Sequence, residues 1–178
     1  MVTVEEAREY LGADSGTDSD ARLEAFIAAA VAAMETYAGR HFMGADVSET
    51  VKPERGCSKY LLLSEPARAI VSSDPDLPDE YRIEGSRLIA EGGNVFVERD
   101  GYELVYSAGY VAGEEPADLI QACRDQVAYL HSRWKADSAG LAEIESQTID
   151  GWTQKFRERG GLAPHVAAIV DKYRPARL

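Results

Sequence analysis

Two stretches with helical periodicity flank a long segment that has none, and this interruption restricts the fold more than any other feature. From about Asp20 to Tyr37, the apolar residues Leu23, Phe26, Ile27, Ala30, Val31, Met34 and Tyr37 recur every three or four positions. That spacing predicts a helix with one apolar stripe, capped by Asp18 or Ser19 and ended by Gly39. From Pro116 onward, Ile120, Cys123, Val127, Leu130 and Trp134 step by 3, 4, 3 and 4. They form a seam that must pack on another helix. The alanine-rich stretch Ala28–Ala33, broken only by Val31, offers the obvious partner because little bulk keeps a neighbour away. Between these helices, from about Val47 to Tyr110, the chain is a series of short β-like segments: Tyr60–Leu63, Ala69–Val71, Tyr81–Ile83, Leu88–Ala90, Val95–Val97 and Tyr102–Tyr106. Asp100-Gly101 is a strong hairpin signal, and Glu84-Gly85 and Gly92-Gly93-Asn94 are weaker ones. A helix cannot run through such turns, so this segment is predicted to be an antiparallel β unit.

The ends complete the pattern. Thr3 can cap a short helix through Leu11, with Glu5 and Glu6 against the positive end of its dipole. Ile144–Ile149 and Trp152–Phe156 flank Asp150-Gly151 and predict a late hairpin. A last helix follows Pro164, with Val166, Ile169, Val170 and Tyr173 on one side, and stops at Pro175. The predicted fold is therefore mainly α with a β insertion (α+β). It is a bundle of about four helices, with the β unit between the second and third long helices. One domain fits the 178 residues. It divides into N-terminal helices (1–46), the β insertion (47–112), a core helix (113–137), and a hairpin with C-terminal helix and tail (138–178).

The hydrophobic share of 45% and charged share of 28% are those of a soluble globular protein. No apolar run approaches the ~20 residues that cross a bilayer, so no membrane association is expected. The opening MVTVEEAREYL has neither a basic nor an apolar leader region, and no secretion signal is expected. Cys57 and Cys123 lack CxxC spacing and read as small apolar residues of a reducing compartment, the cytoplasm. Charge is more informative. Residues 152–178 hold six bases (Lys155, Arg157, Arg159, Lys172, Arg174, Arg177) and two acids (Glu158, Asp171), a net +4. The whole chain is at −12, so the preceding residues carry −16. Such an acidic body repels phosphates over most of its surface. The basic end can grip an acidic partner surface, DNA or a neighbouring copy, or be a solvated terminus.

Motifs for chemistry are missing. His41, His131 and His165 share no metal-ligand spacing, and His131 lies beside the apolar seam, where a hydrogen-bonded structural role is expected. Glu91–Asn94 (EGGN) lacks both GxGxxG and the lysine of a phosphate loop. No GxSxG elbow precedes a helix. The pairs Glu5/Glu6 and Glu114/Glu115 sit at helix starts, where they offset the dipole. The acidic loop Asp74–Glu80 does not alternate ligands as an EF-hand does. Catalytic residues, a metal and a cofactor are accordingly not expected.

Three phrases in order carry a resemblance. VTVEEAREYLG with DARLEAFIAAAVAAMETYAGRHF opens with an acidic capped helix and continues to a long helix ending in Y-x-G-R. VYSAGY…EEPADLIQACRDQVAYLHSRW is a strand ending in Y-[ST]-A-G-Y followed by a P-x-D-L helix. IESQTIDGWTQKF followed by AAIVDKYRP is a late hairpin and a terminal YR element. In these the chain resembles the head–tail connector proteins (adaptor, or head-completion) of tailed bacteriophages and gene-transfer particles. The likeness spans most of the sequence and is weakest from about Val47 to Phe96.

The resemblance implies a subunit of the virion neck, made in the host cytoplasm. It would assemble as a homo-oligomeric ring under the portal protein, expected to be a dodecamer. The ring would extend the channel through which DNA passes without sequence-specific binding, and would offer a docking surface to a stopper or tail-completion protein. No enzyme activity or cofactor is implied. Lys155, Arg157, Arg159, Lys172, Tyr173, Arg174 and Arg177 are then the candidate interface with portal or a neighbouring subunit. The split charge fits on its own terms: opposite-sign patches suit a heterologous interface, and an acidic lumen would not retain DNA. Alternatives are a stopper or tail-completion protein of the same neck, and, from other classes, a small hydrolase, a nucleotide-binding regulatory domain or a DNA-binding module.

Overall fold

The computed structural model describes residues 1–12, 19–53, 58–97, 100–138, 146–149, 152–155 and 161–174. Four α-helices and small antiparallel sheets make the fold mixed α+β among these residues. The chain divides into two compact units. The first joins residues 1–39 to residues 115–174, and the second comprises residues 40–114.

In the first unit, each helix starts where a side chain can satisfy the free amide groups at its end. In α1 (Val4–Leu11), the Glu6 N–H donates to Thr3 Oγ1 at 3.2 Å, and the Thr3 N–H donates to Glu6 Oε2 at 2.9 Å. Ser19 caps α2 (Asp20–Ala38), and Gly39, in the left-handed conformation at φ 70°, closes it by donating to the Glu35 carbonyl. The long helix α3 (Ala117–Ser138) packs against α1, α2 and α4 (Pro164–Val170). Its buried residues are Leu119, Ala122, Cys123, Gln126, Val127 and His131. The predicted seam is thus rotated. Cys123 and Val127 are inside, whereas Ile120, Leu130 and Trp134 are half-buried. Packing against three neighbours widens the inner arc beyond a two-helix seam, and it admits polar residues that find partners. On α2, likewise, Leu23, Ala30 and Met34 are buried with Ala38, while Phe26, Ile27, Val31 and Tyr37 are half-buried. The last α-helix ends at Val170 and tightens into a 3₁₀ turn over Asp171–Tyr173, before Arg174 turns extended at ψ 136°. That is the geometry a residue preceding proline prefers.

The late hairpin is present as β7 (Ser146–Ile149) and β8 (Trp152–Lys155), antiparallel with Ile149 opposite Trp152; Asp150 and Gly151 lie outside the described residues.

The second unit contains two three-stranded antiparallel sheets. β6 (Tyr102–Ala108) lies between β1 (Ala45–Val51) and β3 (Ala67–Ser73). β5 (Arg87–Ala90) lies between β2 (Tyr60–Leu62) and β4 (Tyr81–Glu84). Along β6, Tyr102, Leu104, Tyr106 and Ala108 alternate inward and join Val51, Leu61, Leu88 and Phe96 in one core. Each such large apolar side chain contributes about 1.5–3 kcal/mol by leaving water. Two expectations change here. Val95–Val97 is not a strand: Phe96 alone bridges Ser58, and β6 pairs with β1 and β3. Gly101 therefore does not close a tight hairpin between these segments. It is needed instead because a Cβ at φ 138° would come within 2.4 Å of Thr50 Cγ2. The strand β1 is absent from the predicted set because one of its half-buried positions is a glutamate. Glu49 accepts a hydrogen bond from the Ser64 N–H at 3.0 Å, so its place in the alternation is hidden by charge.

Candidate functional site

Side chains suited to chemistry are dispersed. Among the described residues no group of three or more His, Cys, Asp or Glu could hold a metal ion. His41 Nδ1 lies 2.9 Å from Glu65, His131 packs edge-on to Phe26, and His165 Nε2 lies 3.4 Å from Asp125. His131 is buried beside the seam, as expected of a structural residue. The Cys123 thiol is buried, which pushes its pKa up to about 11 and leaves it inert as a nucleophile. Cys57 lies outside the described residues. No described helix is long and apolar enough to cross a membrane.

What converges instead is sequence motif. The phrases Y-A-G-R (Tyr37–Arg40) and Y-S-A-G-Y (Tyr106–Tyr110) lie on either side of the β unit, and their ends meet. The Tyr110 N–H donates to the Phe42 carbonyl at 3.0 Å, and Met43 forms a parallel bridge with Tyr110. The Arg40 guanidinium lies 5.7 Å over the Phe42 ring and 5.6 Å over the Tyr110 ring. Its Nε is buried and has no hydrogen-bond partner. The faces of the two rings supply the compensating negative potential, each such contact contributing roughly 0.5–2 kcal/mol. Gly109 permits this approach. At φ 73° its backbone is poor for any side chain, and a Cβ would lie 2.2 Å from the Met43 carbonyl oxygen. Glu65 secures the next residue, accepting from the His41 N–H at 2.6 Å and from the His41 ring. The entering and leaving chains of the β unit are therefore clamped side by side. The residue after β6 is thus a glycine that docks on the incoming chain, and α3 begins at Ala117, after Pro116.

The predicted interface residues are placed as follows. Lys172 Nζ lies 3.3 Å from Asp118 Oδ2, and the Tyr173 hydroxyl donates to the same carboxylate. Together, Tyr173 first, they hold the Asp118 carboxyl below its ordinary range. Arg174 lies 3.6 Å from Asp171 and stacks over the Tyr37 ring at 5.3 Å. The 3₁₀ turn thus brings Lys172, Tyr173 and Arg174 into contact with carboxylates of their own chain. Exposed pairs of this kind contribute about 0–1 kcal/mol each. Lys155 lies on β8, apart from that turn in sequence. Arg157, Arg159 and Arg177 lie outside the described residues. Gln126 is a residue the sequence reading missed. It is fully buried, its amide donates to the Gly161 carbonyl at 3.0 Å, and its oxygen accepts from the Ala163 N–H at 3.0 Å. It thereby fixes the start of α4, which has no side-chain cap of its own. A polar residue between Cys123 and Leu130 on a predicted seam was the available signal.

Among the described residues, the converging motifs thus clamp backbone to backbone and gather no metal-binding cluster. A profile of the head completion protein family matches residues 1–176, and the chain belongs to that family. It is a structural protein and not an enzyme. Among solved structures, the chain is similar to a component of the neck of an empty gene transfer agent particle computed with C6 symmetry, at 20% identity and a TM-score of 0.62, with 99% of this chain and 91% of that one covered. A chain in the virion of a native gene transfer agent particle matches at 20% identity and a TM-score of 0.57, over 99% of this chain and 91% of that one. A chain in the neck of the native particle computed with C12 symmetry matches at 19% identity and a TM-score of 0.57, over 98% and 89%. These likenesses establish a shared fold. No curated protein matches the sequence.

Proposed function

We propose that this chain is the adaptor subunit of a virion neck, assembling as a ring beneath the portal, with its two units acting as one connector domain. The observation that carries this reading is the family match over residues 1–176, joined to a fold shared with chains of gene transfer agent necks. Twelve copies would match a portal of that symmetry, extend the DNA channel and present their far side to a stopper or tail protein. The net charge of −12 suits a channel that DNA crosses without being retained. The bundle of α1–α4 favours an adaptor over a stopper, for which a mostly β fold is expected. The basic terminal segment, Lys155 to Arg177, serves as the docking element for portal or for the adjacent subunit.

The test is native mass spectrometry and electron microscopy of the full chain, alone and with purified portal. A ring formed with portal is the expected result, and a protein that stays monomeric at high concentration with portal present would sink the reading. Within that assay, Arg174→Glu combined with Arg177→Glu should leave the helical signal intact and weaken assembly at least tenfold. Unchanged assembly in this variant would take the docking role away from the terminal segment.

A further inference from the structure

We propose that the face of the β unit carrying Arg40 and Arg68 receives the acidic Pro75–Glu80 loop of a second copy of this chain, so that copies join head to tail. The inference rests on the ring reading and assigns the contact that would build it.

Arg68 is exposed at the start of β3, where the pairing with β6 is irregular. Its Nη2 lies 3.4 Å from the point a Gly44 Cβ would occupy, and the Tyr110 carbonyl oxygen lies 3.6 Å from the same point. Arg40 covers the ring of that tyrosine. Two guanidinium groups thus flank Tyr110, and among the described residues neither meets a carboxylate. In a chain with 31 acids and 19 bases, cations left unpaired are unexpected. Met43, at 42% exposure, bridges Tyr110, and Val111, at 43%, follows it in the chain. The face therefore asks for an anionic partner that also brings apolar surface.

The other end of β3 has the complementary character. Six residue steps separate Arg68 from Asp74, about 20 Å at ~3.3 Å per residue. There the loop is held rigidly: Asp74 donates its N–H to the Glu103 carbonyl, Leu77 donates to the Asp74 carbonyl, and the Leu77 side chain is buried. Asp79, Glu80 and Pro75 remain exposed on it. One strand thus separates a cationic, partly apolar face from an acidic one. Two different patches at opposite ends of one element are what a heterologous interface needs, and such an interface closes into a ring when its rotation permits. DNA is the less suitable occupant. Phosphates gain nothing from Met43 and Val111, and the acidic remainder of the chain repels them.

The test is a charge swap read by native mass spectrometry of the full chain with portal as template, with circular dichroism as the folding control. Arg68→Glu and Glu80→Arg should each raise the concentration needed for ring formation at least tenfold. The double variant should recover most of that loss. In parallel, Arg68→Cys with Glu80→Cys in one chain should give a covalent ladder on oxidation. With Cys57 and Cys123 replaced by alanine throughout, a mixture of the Arg68→Cys chain and the Glu80→Cys chain should stop at dimers. If wild type and Arg68→Glu form rings equally well, this contact is wrong while the ring stands. If Arg68→Glu loses retention on DNA and not assembly, the face meets phosphates and the proposal fails. If wild type never forms a ring with portal, the ring reading falls and takes this contact with it.

Discussion

The helical unit and the β unit both tie down backbone and side-chain polar groups, at different sequence distances. In the helical unit the caps are local: Thr3 with Glu6, Ser19 with Arg22, Gly39 with Glu35. Its long-range polar links include Gln126, which reaches the α4 start, Arg124 with Glu6, and Asp118 with Lys172 and Tyr173. In the β unit several anchors span 15 to 42 residues, beside a shorter one between Tyr102 and Val97. The Tyr106 hydroxyl lies 3.1 Å from Ser64 Oγ and accepts from the Glu65 N–H at 3.3 Å, the Tyr102 hydroxyl accepts from the Val97 N–H at 3.0 Å, and Glu49 accepts from Ser64. The comparison teaches that helices carry their boundary conditions with them. The sheets take theirs from side chains recruited across the chain.

The largest expected effect tests the helical side. Val127→Asp buries a carboxylate at a position with 1% exposure and no partner, and should cost at least ~3 kcal/mol. Thermal unfolding by circular dichroism should show the helical signal lost at a much lower temperature. A wild-type melting curve would mean the seam is not closed. Next, Gly109→Ala should destabilise by roughly 2–3 kcal/mol, combining positive φ with the collision against Met43. Gly85→Ala, at φ 59° in open space, should cost only about 1 kcal/mol. Equal losses in urea titrations would remove the clamp from the account.

Gln126→Leu keeps the volume but strands the Gly161 carbonyl and the Ala163 N–H, at about 2 kcal/mol. It should also speed hydrogen exchange at the start of α4, whereas a uniform change across the unit would argue against a local anchor. Tyr106→Phe has an effect as small as that of Gly85→Ala, about 1 kcal/mol at neutral pH. Burial pushes the Tyr106 hydroxyl up to about 12 from its ordinary 10, partly offset by the Ser64 bond. Because the folded form holds its proton longer than the unfolded one, this contribution is complete below pH 10 and lost as pH rises toward 12. The wild type should lose stability in that window more steeply than Tyr106→Phe. Parallel pH profiles would contradict the assignment.

Much of the helical unit is legible along the chain, because a 3.6-residue period and its caps act over one turn. The limits of α2, the start of α3 next to Pro116 and the last turn before Pro175 can all be read this way. The β unit is legible only as a region of short strands. Pairing β6 with β1 and β3 joins residues far apart, and no local signal states which strand lies beside which. The phrases around Arg40 and Tyr110 stand out in the sequence, yet nothing in them says that they touch.

By itself, then, the order of residues determined where helices begin and end, that an antiparallel unit interrupts them, and the separation of acidic body from basic end. These are properties of neighbours along the chain or of simple sums. Only the tertiary structure decided that Arg40 lies over the rings of Phe42 and Tyr110, that Gln126 sits inside, and that Arg68 meets no carboxylate among the described residues. Each depends on which distant groups share a small volume, and the free energy of that choice comes from packing and desolvation.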